Sequence, residues 1–145
     1  MITLYCDGGV RGNPSPKGAW AFFVVFEDES SHIEVCRDKV GALIGKEATN
    51  NIAEYIAVLE AVKYAKSNNM QEIIVKSDSN LVIQQLNKNF EVRNGGISEL
   101  YKQVVKEVSE LKEVKFQWVP RTDPWIKQVD AFYNKIADKH GREKT

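Results

Sequence analysis

The chain has 145 residues, 43% hydrophobic and 28% charged, with 20 basic and 20 acidic side chains and no net charge. That length fits a single domain, residues 1–145, with room for a real core. It excludes a disulfide scaffold, because Cys6 and Cys36 are the only cysteines, and no apolar run nears the roughly 20 residues that span a bilayer. The start MITLYCDGG has no basic head and no long apolar core, so it does not read as a secretory signal. A reduced, cytoplasmic setting is the expectation, with no membrane and no obligate protein partner evident. Balanced charge lowers the expectation of a broad electrostatic footprint on nucleic acid, although a cluster of acids can offset a basic groove elsewhere.

Residues 2–7 form the first strand-like run, with Thr3, Tyr5 and Asp7 on one face by the two-residue period. The Gly- and Pro-rich segment GGVRGNPSPKG reads as a turn. The nearly continuous apolar run GAWAFFVVFED reads as a buried strand, and residues 32–44 as a third strand. Short links between the three predict an antiparallel meander. In TNNIAEYIAVLEAVKYAKSNN, Ile52, Ile56, Leu59 and Val62 recur at helical spacing, Thr49 or Asn50 caps the start, and Asn68-Asn69 ends it. EIIVKSD is a strand, SNLVIQQLNKN a short helix, and ISELYKQVVKEVSELKE a strongly amphipathic helix. VKFQWV is the fifth strand, PRTDPW a loop, and Lys127 to about Gly141 the last helix. The order βββαβααβα, with strands and helices alternating in its second half, predicts an α/β fold with parallel crossovers.

Four acidic residues stand at the edges of these apolar elements: Asp7, Glu54, Asp78 and Asp130. Asp7 and Asp78 end strand-like runs, and open α/β sheets bind ligands beyond the carboxyl ends of their strands. Glu54 has Asn50, Asn51, Ala57 and Val58 at its helical neighbour positions, none of which can pair with it. Asp130 falls early in the last helix, where the dipole favours an anion and Lys127 is within reach. Each also has an ordinary structural reading: a turn residue for Asp7, a helix cap for Asp78, a solvated face for Glu54, a dipole partner for Asp130. Converging carboxylates repel one another, and a hard divalent cation bound by their oxygens removes that cost. Metal-dependent chemistry on phosphate is the expectation.

The blocks DGGVRGNP, TNNIAEY, SDSNLVIQQL and WVPR…DAFYNKIA, in this order and at this spacing, resemble the signature blocks of type 1 ribonuclease H over Ile2 to about Ala137. The resemblance implies the ribonuclease H-like fold, a five-stranded mixed sheet in order 3-2-1-4-5 with strands 1–3 antiparallel. It implies an endoribonuclease that hydrolyses the RNA strand of an RNA–DNA hybrid with two ions of Mg²⁺, or Mn²⁺. It also implies that Asp7, Glu54, Asp78 and Asp130 are both catalytic and metal-binding. Substrate contacts would fall to Gly8, Gly9, Arg11, Asn13, Thr49, Asn50, Asn80 and Gln84, amide-rich positions suited to reading a 2′-hydroxyl. Arg121 and Asn134 are auxiliary positions. Trp118 and Trp125 read as packing residues.

The chain departs from the family pattern in three places. No basic handle separates the middle helices, only NKNFEVRNGG with Lys88 and Arg93. The loop PRTDPWIKQV has no histidine ahead of the fourth acid, which leaves Arg121, Asp123 and Lys127 as the polar residues there. Ser15 replaces a glycine. The alternatives are a ribonuclease H-like module without activity, which typically lacks one of the acids, and another nuclease of the same superfold.

Overall fold

The computed structural model describes residues 1–10, 18–28, 31–38, 49–93 and 95–142. The elements follow the predicted order: β1 (Ile2–Val10), β2 (Gly18–Val25), β3 (His32–Asp38), α1 (Asn50–Ser67), β4 (Glu72–Ser77), α2 (Asn80–Leu86), α3 (Gly95–Val108), β5 (Glu113–Trp118) and α4 (Pro124–Arg142). One five-stranded sheet has the order β3-β2-β1-β4-β5. β1 pairs antiparallel with β2, and β2 with β3. β4 is parallel to both β1 and β5, as crossovers through helices require.

The sheet is covered on both faces, which explains the near-continuous apolar reading of β2. Leu4, Cys6, Phe22, Val24, Ile73 and Val75 face α1 and α3, whose Ile56, Leu59, Val62, Leu100 and Val104 complete the larger core. Tyr5, Ala21, Phe23 and Val25 face α4 and pack on Ile126, Val129 and Tyr133. The two-residue period therefore turns Asp7 toward α4, on the face of Tyr5.

Three boundaries differ from expectation. β1 runs on to Val10, so Gly8 and Gly9 lie in the strand, paired with Trp20 and Ala19, and not in a turn. A Cβ on Gly8 would stand 2.8 Å from the carbonyl oxygen of Ala53. The missing side chain is what lets the backbone of α1 settle onto β1. The last helix begins at Pro124: Asp123 Oδ1 accepts from the Trp125 and Ile126 amides at 2.9 and 3.1 Å. Asp123 is thus its N-cap and Pro124 its first residue, a pairing favoured because proline lacks a donor there. α3 ends at Val108. Continuation of the third strand past Asp38, and residues Arg11, Asn13 and Ser15, lie outside the described residues.

Candidate active site

Pairing of β1 with β4 stops at Cys6↔Ser77, while pairing of β1 with β2 continues through Asp7↔Ala21. Asp7 is therefore not at a strand end; it is mid-strand, at the point where its β4 neighbour has run out. The gap that opens there receives Asp78, the first residue past β4. The helix-cap reading of Asp78 is removed by the structure, because Ser79 is the N-cap of α2: its Oγ accepts from the Val82 amide at 3.3 Å. Asp78 is left free to face the site. Glu54 enters from the first turns of α1, one residue beyond the Ala53 carbonyl that rests on Gly8. Carboxylate oxygens of Asp7, Glu54 and Asp78 all lie within 4.8 Å of one another. The Asp130 carboxyl, on α4, comes within hydrogen-bonding reach of Asp7. Asp130 is exposed and sits in the second turn of α4, past the first turn where the dipole acts, so its place owes more to facing Asp7 than to the helix end.

The electrostatics are those of acids crowded away from water. Asp7 is 5% exposed. Burial, the charge of Asp78 and the carboxyl of Asp130 push it from 3.8 up to about 9, against the one amide, Gly8 N–H, that donates to its Oδ1 at 2.9 Å. Burial pushes Glu54 up to about 7; the Ser79 hydroxyl holds it back, Asp78 adds to the rise, and Arg121 opposes it. Asp78 is raised by burial, with Arg121 pulling down and Asp130 pushing up. Three hard oxygen donors in mutual repulsion, with a fourth beside them, suit a hard divalent cation. Arg121 lies close enough to act on both Glu54 and Asp78.

The remaining predicted residues divide by what holds them. Thr49 caps α1, its Oγ1 accepting from the Ile52 amide at 3.2 Å. Asn50 Oδ1 accepts from the Val10 amide at 2.9 Å and ties α1 to the extended end of β1. Gly9 stands where a Cβ would come 2.6 Å from the Tyr133 hydroxyl. Asn80 and Gln84 are joined, Gln84 Nε2 to Asn80 Oδ1 at 3.3 Å, and Asn89 extends the row by donating to Gln84 Oε1 at 2.7 Å. Asn89 was not anticipated; it follows α2 beyond its last turn, where no helical period points to it. Asn134 donates to the Asp130 carbonyl at 2.8 Å, one turn along α4. Trp125 packs as expected, near Tyr5, Phe23 and His32. Trp118 does not: it is 46% exposed, and its indole N–H donates to the Asp78 carbonyl at 3.1 Å. The parallel register Ser77↔Trp118 puts the indole beside Asp78.

Comparison with known proteins matches residues 9–126 to the model of the reverse transcriptase-like family. The chain belongs to this family, as a domain of the ribonuclease H type. It is 32% identical over 120 residues to the bifunctional protein Rv2228c of Mycobacterium tuberculosis, covering 83% of this chain but 31% of that protein. The N-terminal RNase H domain of Rv2228c, solved as a fusion with maltose-binding protein, superposes with a TM-score of 0.88 at 26% identity, over 99% of this chain and 98% of that one. RNase H1 of the halophilic archaeon Halobacterium salinarum gives 0.83 at 25% identity, over 95% and 98%. LC11-RNase H1, solved in complex with an RNA/DNA hybrid, gives 0.83 at 24% identity, over 97% and 99%, and shows the shared fold. The likenesses to Rv2228c and to RNase H1 of Halobacterium salinarum agree with a domain of the ribonuclease H type, and the chain spans about a third of the length of Rv2228c. No helix of the described residues is long and apolar enough to cross a membrane.

Proposed function

We propose that this chain is a cytoplasmic endoribonuclease that hydrolyses the RNA strand of RNA–DNA hybrids, using two divalent cations, Mg²⁺ or Mn²⁺, held by Asp7, Glu54, Asp78 and Asp130. The observation that carries the reading is the meeting of three carboxylates within 4.8 Å, from the middle of β1, the residue after β4 and the start of α1, with Asp130 against Asp7. Cations bound there supply a Lewis acid for the phosphate and lower the pKa of water in the site. The chain's own residues do the rest. Asp7, shut off from water, keeps its proton at neutral pH and would give it up to bind a cation. Ser79 orients the Glu54 carboxylate while capping α2. Arg121, exposed at the rim, draws a phosphate toward the acids and eases their charge.

The amide row Asn80–Gln84–Asn89 lies along the outer side of α2, directly after Asp78. Amide side chains both donate and accept, which suits a 2′-hydroxyl and so distinguishes RNA from DNA. Gly8, Gly9, Arg11, Asn13, Thr49 and Asn50 are assigned to the same substrate on the family resemblance. The complex of LC11-RNase H1 with an RNA/DNA hybrid supports that choice of substrate. The test is a side-by-side assay of a labelled RNA–DNA hybrid, duplex RNA and duplex DNA in Mg²⁺. Cutting confined to the RNA strand of the hybrid is expected; equal cutting of duplex DNA would refute the assignment.

A further inference from the structure

Glu54 and Asp78 reach the site from different helical neighbourhoods, Glu54 on α1 and Asp78 at the head of α2. Apolar burial draws two helices together but is not itself directional, so a hydrogen bond between them adds an orientation that burial alone does not supply. Two polar links cross from α1 to α2. One is at the site itself, from the Ser79 hydroxyl to Glu54. The other lies six positions further along α2 and is fully inside the protein: the Tyr55 hydroxyl donates to Gln85 Oε1 at 2.5 Å. Tyr55 is 0% exposed and Gln85 5%. Gln85 Nε2 in turn donates to the Glu91 carbonyl at 3.1 Å, so the link continues into the segment after α2. Tyr55 is the residue next to Glu54.

A phenylalanine and an apolar side chain of similar size at these two positions would fill the same space. A buried hydrogen bond adds little net stability over such a pair, but it adds direction. From this we propose that Tyr55 and Gln85 are positioning residues of the metal site: their bond fixes α2 against α1, and so keeps Asp78 and Glu54 at cation-binding spacing against their mutual repulsion. The proposal rests on the metal-binding reading above. Partners behind metal ligands commonly contribute about 10- to 100-fold in metal affinity, and the lower end applies here because the link acts through the helices and not on a carboxylate.

The test uses the full chain and three variants, Tyr55→Phe, Gln85→Met and the double variant, with Mg²⁺ affinity read by calorimetry and by the rise in melting temperature on adding Mg²⁺. Tyr55→Phe keeps the ring packing and loses one hydroxyl. It is expected to melt lower, since Gln85 is left without its donor, and to bind Mg²⁺ about 10-fold more weakly. The double variant leaves no stranded Gln85 amide oxygen, though the Glu91 carbonyl loses its donor, and should regain part of the lost melting temperature. Its Mg²⁺ affinity should stay about 10-fold low. A merely structural pair predicts the opposite, affinity recovering together with melting temperature. Wild-type Mg²⁺ affinity in either Tyr55→Phe or the double variant overturns the positioning role and leaves the metal reading intact. Absence of Mg²⁺ binding to the wild-type chain at millimolar concentrations overturns both.

Discussion

Replacing Asp7 by asparagine should make the metal-free protein more stable at alkaline pH, although it removes a hydrogen-bonded side chain. In the fold the Asp7 carboxyl is pushed from 3.8 up to about 9, first by burial and then by Asp78 and Asp130. The folded chain therefore holds a proton that the unfolded chain has released. Stability from this group is full below about pH 4 and is lost as pH rises toward about 9. At pH 7 the span that counts is roughly 3 units, or about 4 kcal/mol at 1.36 kcal/mol per unit. Coupling of Asp7 to its neighbouring acids reduces this, so a cost on the order of 2–4 kcal/mol is expected. Urea unfolding in EDTA between pH 5.5 and 8.5 measures it. Wild type should lose stability steadily across that range. Asp7→Asn should be shallower above pH 7, keeping the slopes from Glu54, whose carboxyl sits at about 7, and from Asp78, also raised by burial. Saturating Mg²⁺ should flatten the wild-type slope, because the cation binds the ionised form and neither the folded nor the unfolded chain then holds the proton. A wild type in EDTA that is level or gains stability toward pH 8.5, or an Asp7→Asn variant that falls as steeply, would refute the reasoning.

Other expectations are simpler to measure. Gly8→Ala should cost about 2 kcal/mol or more in thermal unfolding, because its new methyl meets the Ala53 backbone at 2.8 Å and α1 must lift from β1. Gly9→Ala should cost less, since what it meets at 2.6 Å is the tip of the Tyr133 side chain. Lys88 has φ 65° and closes α2 with Asn89 N–H on the Gln84 carbonyl at 2.8 Å and its own N–H on the Gln85 carbonyl at 3.0 Å. Lys88→Gly should therefore raise stability by about 1 kcal/mol in denaturant titrations, which a fall would contradict. Hybrid binding should show a shallow dependence on salt, because Arg93 is held by Glu91 through its Nε and Nη2 at 2.9 and 2.7 Å. A steep slope in a salt titration would mean that another basic surface grips the hybrid.

The order of the elements and the placing of Asp7 and Glu54 rest on local patterns that tertiary packing reinforces, whereas the sheet order came with the family resemblance. Alternation placed Tyr5 and Asp7 together on the α4 face, and the helical period of Ile52, Ile56, Leu59 and Val62 set Glu54 outside the apolar stripe of α1. The extension of β1 through Gly8 and Gly9 was hidden because two glycines in a strand look like a turn. Their purpose appears only with α1 and Tyr133 laid against them. The start of α4 had a usable signal that was read as loop: Asp123 followed by Pro124 is the pairing expected at a helix N-terminus. Tyr55, Gln85 and Trp118 carried no signal as site residues. Their hydrogen bonds join α1 to α2 and β5 to Asp78 across long stretches of sequence, and an apolar or amide residue at one position does not reveal a partner 30 or 40 residues away.

If the carboxylates work through a divalent cation, activity follows the metal. Purified protein stripped with EDTA, supplied with a hybrid labelled on its RNA strand, should cut nothing. Adding Mg²⁺ or Mn²⁺ beyond the chelator should restore cutting of that strand, and Asp78→Asn should stay lower by orders of magnitude while remaining folded. Cutting that persists in EDTA, or an RNA strand left intact in both metals, would contradict it.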